Sequence, residues 1–239
     1  MPEQNFIVMG ANGGIGEALA LRLAQPVVTM RQPDKASSAL RAATADIRAV
    51  DVTKPDSLSA ALADFTDGKP LSGFAYCIGS IDLIPLKAAN EDHYLRSYEV
   101  NVLGAIRALR LLEKSLKQGK GSVVLFSSIA VQQGFANHTV ISTAKGAIEG
   151  LTRALAAEWA GTVRVNAIAP SLTDTAIATP LTSSAPLREA IEKMHPIPRL
   201  GSADDSAALA AFLLGDTSGW ITGQVLHVDG GRSTLRPKG

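Results

Sequence analysis

The stretch Phe6-Ile7-Val8-Met9-Gly10-Ala11-Asn12-Gly13-Gly14-Ile15-Gly16 decides the fold. Four apolar residues without polar alternation read as a strand covered on both faces, and the glycines that follow mark a tight turn into a helix. Glycines at such a turn let the backbone approach a pyrophosphate, whose charge meets free N–H groups at the helix N-terminus. The spacing is G-x-x-x-G-x-G, which differs from the G-x-G-x-x-G of longer dinucleotide-binding domains. Taken alone, the turn could be only a tight connection. As a nucleotide cradle it offers Gly10, Asn12, Gly14, Ile15 and Gly16.

Working outward, short β-branched runs alternate with longer Ala/Leu-rich stretches. Strands are predicted near Phe6–Met9, Val27–Met30, Ile47–Val50, Gly73–Cys77, Ser122–Phe126, Val163–Ile168 and Val225–Val228. Helices are predicted at Ile15–Ala24, Ser57–Phe65, Glu91–Gln118, Asn137–Ala160 and Ala203–Leu214. This order gives βαβ units, hence an α/β fold: one Rossmann-type doubly wound domain with a seven-stranded parallel sheet and helices on both faces. No composition break divides residues 1–239. Residues 171–201 carry Pro180, Pro186, Pro196 and Pro198, leave room only for short helices, and read as a lid over a substrate. Residues 232–239 read as a surface tail.

Hydrophobic residues make up 46% and charged residues 19%, enough for a sizeable core and unlike a disordered chain. Basic and acidic residues number 23 and 22, so binding to a nucleic-acid backbone is not expected. The single cysteine, Cys77, excludes an intrachain disulfide and a Cys-based zinc site, and reads as a small buried strand residue. His93, His195 and His227 lack metal-ligand spacing, so no metal is expected. No apolar run approaches the ~20 residues of a spanning helix. These features point to a soluble, cytoplasmic protein with no membrane partner.

At the end of the second strand, an acidic residue would bind a ribose 2′-hydroxyl and a basic one would accept a 2′-phosphate. The strand ends Thr29-Met30-Arg31, so Arg31 favours NADP(H) over NAD(H); its other reading is a solvated loop arginine. Asp51, in Val50-Asp51-Val52, offers an acceptor to an adenine amino group or else caps its loop.

The glycine turn, Asp51-Val52, Asn101-Val102-x-Gly104, Ser127-Ser128, Lys145, Arg164-Val165-Asn166-x-x-x-Pro170 and Val228-Asp229-Gly230-Gly231 together resemble the short-chain dehydrogenase/reductase family. The resemblance covers essentially the whole chain. It implies an NAD(P)(H)-dependent oxidoreductase in which a serine and a tyrosine act on the substrate oxygen. A lysine four residues after the tyrosine holds the nicotinamide ribose, and an asparagine supports the lysine through water. Carried over, these are Ser128, Lys145 and Asn101. The resemblance further implies cofactor contacts at Val52, Gly79, Pro170, Leu172 and Thr175, and a homodimer or homotetramer paired through Lys145–Ala160 and Val225–Val228.

The tyrosine position is 141, and residue 141 is isoleucine. Ile141 can neither donate a proton nor stabilise an oxyanion. Enoyl-acyl carrier protein reductases, a divergent branch, place their tyrosine seven residues before the lysine, where this chain has His138. On a helix, 138, 141 and 145 share one face at i, i+3 and i+7, and an imidazole donates a proton near neutral pH. Three readings stay open. His138 replaces the phenol, for reduction of a carbonyl or an activated C=C bond; or Ser128 acts with water or Ser142; or the chain is a catalytically impaired NAD(P)-binding regulatory or scaffold protein. Tyr98, one turn before Asn101, is a further candidate phenol.

Overall fold

The structure, a computed structural model, describes residues 4–236. Seven strands, β1 (Phe6–Met9), β2 (Val27–Met30), β3 (Asp46–Ala49), β4 (Gly73–Tyr76), β5 (Ser122–Phe126), β6 (Arg164–Pro170) and β7 (Val225–Val228), form one sheet in the order 3-2-1-4-5-6-7. Every pairing is parallel, as in Ile7 opposite Val27 on one side and Phe74 on the other. The order reverses between β1 and β4, which opens a crevice at the carboxyl ends of these strands.

Side chains alternate between the two faces. Ile7, Met9, Phe74, Tyr76, Val123 and Val165 pack on one, with α3 (Pro55–Thr66), α5 (Gly104–Gly119) and α7 (Thr139–Glu158). Phe6, Val8, Val28, Ala75, Val124 and Ile168 pack on the other, with α1 (Gly14–Ala20) and α10 (Ala203–Leu214). Burial on both faces is why the strands read as unbroken apolar runs. The exceptions are the two edge strands, β3 (Asp46-Ile47-Arg48-Ala49) and β7, which are only partly covered.

Several boundaries differ from the sequence reading. The first helix stops at Ala20, not Ala24. Ser38–Ala43 forms a short helix, α2, announced by Ser37, whose hydroxyl accepts the Leu40 N–H at 3.1 Å. The expected continuous helix Glu91–Gln118 is α4 (Glu91–Tyr98), one π-helical turn (Glu99–Leu103) and then α5. Ala130–Gln133 adds a single turn, α6. Within residues 171–201, α8 (Thr179–Thr182) and the longer α9 (Ala185–Lys193) form because Pro180 and Pro186 fall in first turns, where the missing N–H costs nothing.

The segment 171–201 is tied at its neck. Thr173 and Gly201 form a parallel bridge, with Gly201 N donating to Leu172 O at 3.0 Å and Asp174 N to Gly201 O at 2.8 Å. Ser171 Oγ lies 2.7 Å from Nε2 of the buried His195, and Ile197 N donates to Gly230 O at 3.0 Å. The segment expected as a surface tail begins docked: Gln133 Nε2 donates to Ser233 O at 3.2 Å, and Arg232 and Ser233 are half-buried. Its last residues, 237–239, lie outside the described part.

Candidate active site

The glycine turn lies at the mouth of the crevice. Gly10 has φ +91°, and a Cβ there would come within 2.8 Å of Ile78 on the loop after β4. A Cβ on Gly16 would collide with Gly10 O, so α1 packs directly on the strand end. Gly10 N and Ala11 N both donate to Thr29 O, at 2.9 and 3.1 Å. No side chain caps the first turn of α1, and Gly14 faces Thr175 across the crevice. The turn thus gathers the predicted Gly10, Asn12, Gly14, Ile15, Gly16 and Thr175.

At the adenine end, Arg31 is exposed and makes no ion pair or hydrogen bond among the described residues, which leaves its guanidinium open to a phosphate. Asp51 accepts from Thr53 N (3.1 Å) and Thr53 Oγ1 (2.7 Å). These bonds, with Lys54 and Arg31 nearby, hold its carboxyl below the usual carboxylate range. The loop-capping role of Asp51 is therefore present. Val52 packs its side chain in the core beside Gly104, so it can meet a cofactor only through its backbone.

The residues of the reaction end converge from four elements. Gly79 follows β4, Ser128 follows β5, Asn101 sits in the π-helical turn and Lys145 is two turns into α7. A Cβ on Gly79 would lie 2.9 Å from Asn101 Oδ1 and 3.3 Å from Lys145 Nζ, so these side chains meet at one point. Asn101 is held by its amide, which donates to Ser97 O at 2.9 Å and Ser80 Oγ at 3.1 Å, while its oxygen accepts from Ser80 N at 3.3 Å. Lys145 is 9% exposed and donates to Phe126 O at 2.9 Å. Burial pulls its ammonium pKa from 10.5 to about 8. Cys77 lies close enough to feel Lys145, yet burial pushes its thiol up to about 12, which leaves it inert.

Adjacent serines at the end of β5 divide the labour. Ser127 is buried and donates to Glu149 Oε1 at 2.9 Å. Ser128 is half-buried and accepts the Ala130 N–H at 3.2 Å, so its own proton stays available for a substrate oxygen. Pro170 O accepts from Ile129 N at 3.2 Å, which brings the end of β6, with Leu172 beyond it, beside Ser128.

Ile141 is 4% exposed and lies in the apolar interior. His138 is not in the helix proper but at the N-cap of α7, and it is half-buried. The expected shared face therefore holds for Ile141 and Lys145 only. His138 Nδ1 lies 2.7 Å from Ala136 O, and its ring packs edge-on against Phe135 with centroids 5.3 Å apart. A carbonyl only accepts, so Nδ1 carries the hydrogen and Nε2 donates only as imidazolium.

The other candidates are committed elsewhere. Ser142 Oγ donates to Ala130 O (3.2 Å), Tyr76 Oη to Val100 O (2.6 Å) and Tyr94 Oη to Thr139 Oγ1 (3.1 Å); Tyr98 is 40% exposed at the end of α4. Ser80 and Ser97 orient Asn101: Ser97 stands one helical turn before it, while Ser80 reaches it from the loop after β4, a contact between distant parts of the chain that no local pattern announces. Among the described residues no three His, Cys, Asp or Glu gather as metal ligands, and no helix is long and apolar enough to cross a membrane.

The family model described as enoyl-(acyl carrier protein) reductase matches residues 10–233. A short-chain dehydrogenase/reductase of Arabidopsis thaliana is 40% identical over 147 residues, 62% of this chain and 58% of its own length. Galactitol 2-dehydrogenase (L-tagatose-forming) of Cereibacter sphaeroides is 34% identical across 94% of this chain and 92% of its own. Among solved structures, a short-chain type dehydrogenase/reductase from Mycobacterium ulcerans superposes with a TM-score of 0.89 at 30% identity, covering 98% of this chain and 91% of that one.

Proposed function

Because the chain belongs to the short-chain dehydrogenase/reductase family, a family of NAD(P)-binding oxidoreductases, we propose that it reduces a carbonyl or an activated C=C bond, with NADP(H) preferred and with His138 in place of the usual tyrosine. The observation that carries this reading is the meeting of Lys145, Asn101 and Gly79 at one point while the tyrosine position is a buried isoleucine. The cradle at Gly10–Gly16, open Arg31 and buried Lys145 fit a dinucleotide; when bound, it supplies the hydride.

This chain's own residues do the rest. Lys145 spends one N–H on Phe126 O and keeps two for ribose hydroxyls. Asn101 holds the lysine's side of the site, and Ser128 donates to the substrate oxygen. His138 delivers a proton from Nε2.

The test is fluorescence titration with NADPH and NADH, followed by NADPH oxidation against ketones, enones and enoyl thioesters. We expect tighter binding of NADPH, a preference lost in Arg31→Ala. Wild type should turn over. His138→Gln should lose about 10²-fold. Turnover unchanged in His138→Gln overturns the donor assignment, and dinucleotide binding without turnover of any compound favours the regulatory reading.

Assembly as a homodimer or homotetramer belongs to the same proposal. Trp220 is fully exposed, and Leu95 and Phe212 are partly so, apolar side chains that subunit contacts would cover. Sedimentation velocity reads the subunit count, and a monomer at micromolar concentration overturns it.

A further inference from the structure

Between the end of the lid and the docked tail lies a cleft of about 400 Å³. Among the described residues, three cations line it, Lys193, Arg232 and Arg236, and no carboxylate does. Met194, Pro196 and Leu235 give it apolar walls.

Arg232 is the informative member. It is half-buried, and burial lowers its guanidinium pKa. A desolvated guanidinium with five N–H donors ordinarily finds a carboxylate or several carbonyls. Arg232 instead sits over the Phe135 ring at 4.7 Å and, among the described residues, its guanidinium donates only to Met194 Sδ, at 3.4 Å. Asp229 attracts the guanidinium through space but does not bond it; its two oxygens accept from Gly231 N and Ser233 N, each at 2.9 Å. Among the described residues, neither Arg232 nor Arg236 forms an ion pair, while Lys193 pairs only with the exposed Glu189, at 2.7 Å. An exposed pair of that kind is worth little and yields readily to another anion.

The cleft adjoins the reaction end. The ring under Arg232 is the ring packed against His138, so one aromatic side chain separates the guanidinium from the candidate donor. Gln133, which fixes the tail, lies on the turn that follows Ser128 and Ile129.

We propose that this cleft is a substrate subsite for an anionic group, a carboxylate or a phosphate, borne on an aliphatic stretch that runs along Met194, Pro196 and Leu235. The inference rests on the oxidoreductase reading for the word substrate, but the binding it asserts needs neither cofactor nor turnover. It narrows the substrate class to acids, phosphate esters or phosphate-bearing thioesters, and sets aside neutral ketones and sugars. Arg232 and Arg236 give bidentate, charge-assisted contacts, and the apolar walls reject a bare inorganic ion.

The experiment is calorimetric titration of the full chain with octanoate, octyl phosphate, octanol and inorganic phosphate, at low and at 0.3 M salt. Both anionic amphiphiles should bind at least about tenfold more tightly than octanol or inorganic phosphate, and salt should weaken them. The better of the two identifies the headgroup. Arg236→Gln, an exposed substitution that leaves the Arg232–Phe135 stack in place, should weaken the anions about tenfold, and Arg232→Gln more. NADPH titration of the same samples should be unchanged. Equal binding of octanol, or anion binding unaltered in both variants, overturns the subsite. Loss of NADPH binding in wild type would overturn the oxidoreductase reading instead, so the two failures are distinguishable.

Discussion

Lys145→Met should lose turnover on the order of 10³-fold, because in the proposed reaction this side chain positions the ribose, and it places a cation at the meeting point of Gly79 and Asn101. Its second signature is in stability, and the sign follows from burial. The ammonium titrates near 8 in the folded chain and at 10.5 when unfolded. Below pH 8 both states are charged, and the full cost of burying the charge is present. Between the two values the unfolded chain binds the proton that the folded chain has released, so stability rises with pH through that window. The gap is worth about 3 kcal/mol. Lys145→Met has no such group. Measured by denaturant melts, the stability of wild type relative to the variant should therefore improve by about 3 kcal/mol from pH 7 to pH 10.5. Parallel curves for the two proteins would show that Lys145 is not held at low pKa.

Ser128→Ala should lower kcat by about 10²–10³-fold with NADPH affinity unchanged, since the hydroxyl acts on the substrate oxygen as charge develops there. The neighbouring serine is the control. Ser127→Ala removes the donor to Glu149, a carboxylate that is nearly fully buried and otherwise paired only with the exposed Arg153, at 3.2 Å. Orphaning it should cost about 1–3 kcal/mol of stability with little change in kcat. If instead Ser127→Ala removes activity and Ser128→Ala removes stability, the two roles are reversed.

The sheet was legible because both its faces are covered, and an unbroken apolar run such as Phe6–Met9 or Val123–Phe126 carries that signal in the sequence. Asp46–Ala49 carried it less well because it forms an edge. The π-helical turn at Glu99–Leu103 left no trace, since the apolar period of Glu91–Gln118 continues across it, and no local pattern announced that Ser80 would meet Asn101 from the loop after β4. Two prolines in the lid read as breakers although each begins a helix. At the reaction end, Ser128 and Lys145 could be placed by their spacing. The N-cap position of His138 could not, because it depends on where the chain leaves Gly134, at φ +64°, and Asn137, at φ +65°, to enter the helix. The docking of Arg232 on Phe135 joins residues nearly a hundred positions apart, which no local pattern encodes.

The neck that joins Thr173 to Gly201 has an evolutionary consequence. With the loop ends already held by backbone bonds, the cost of closing the loop is met at its base and grows only slowly with its length. Residues 176–194 are thus an exchangeable cassette: relatives can lengthen, shorten or rewrite this span, and so change what they recognise, without retuning the sheet beneath it.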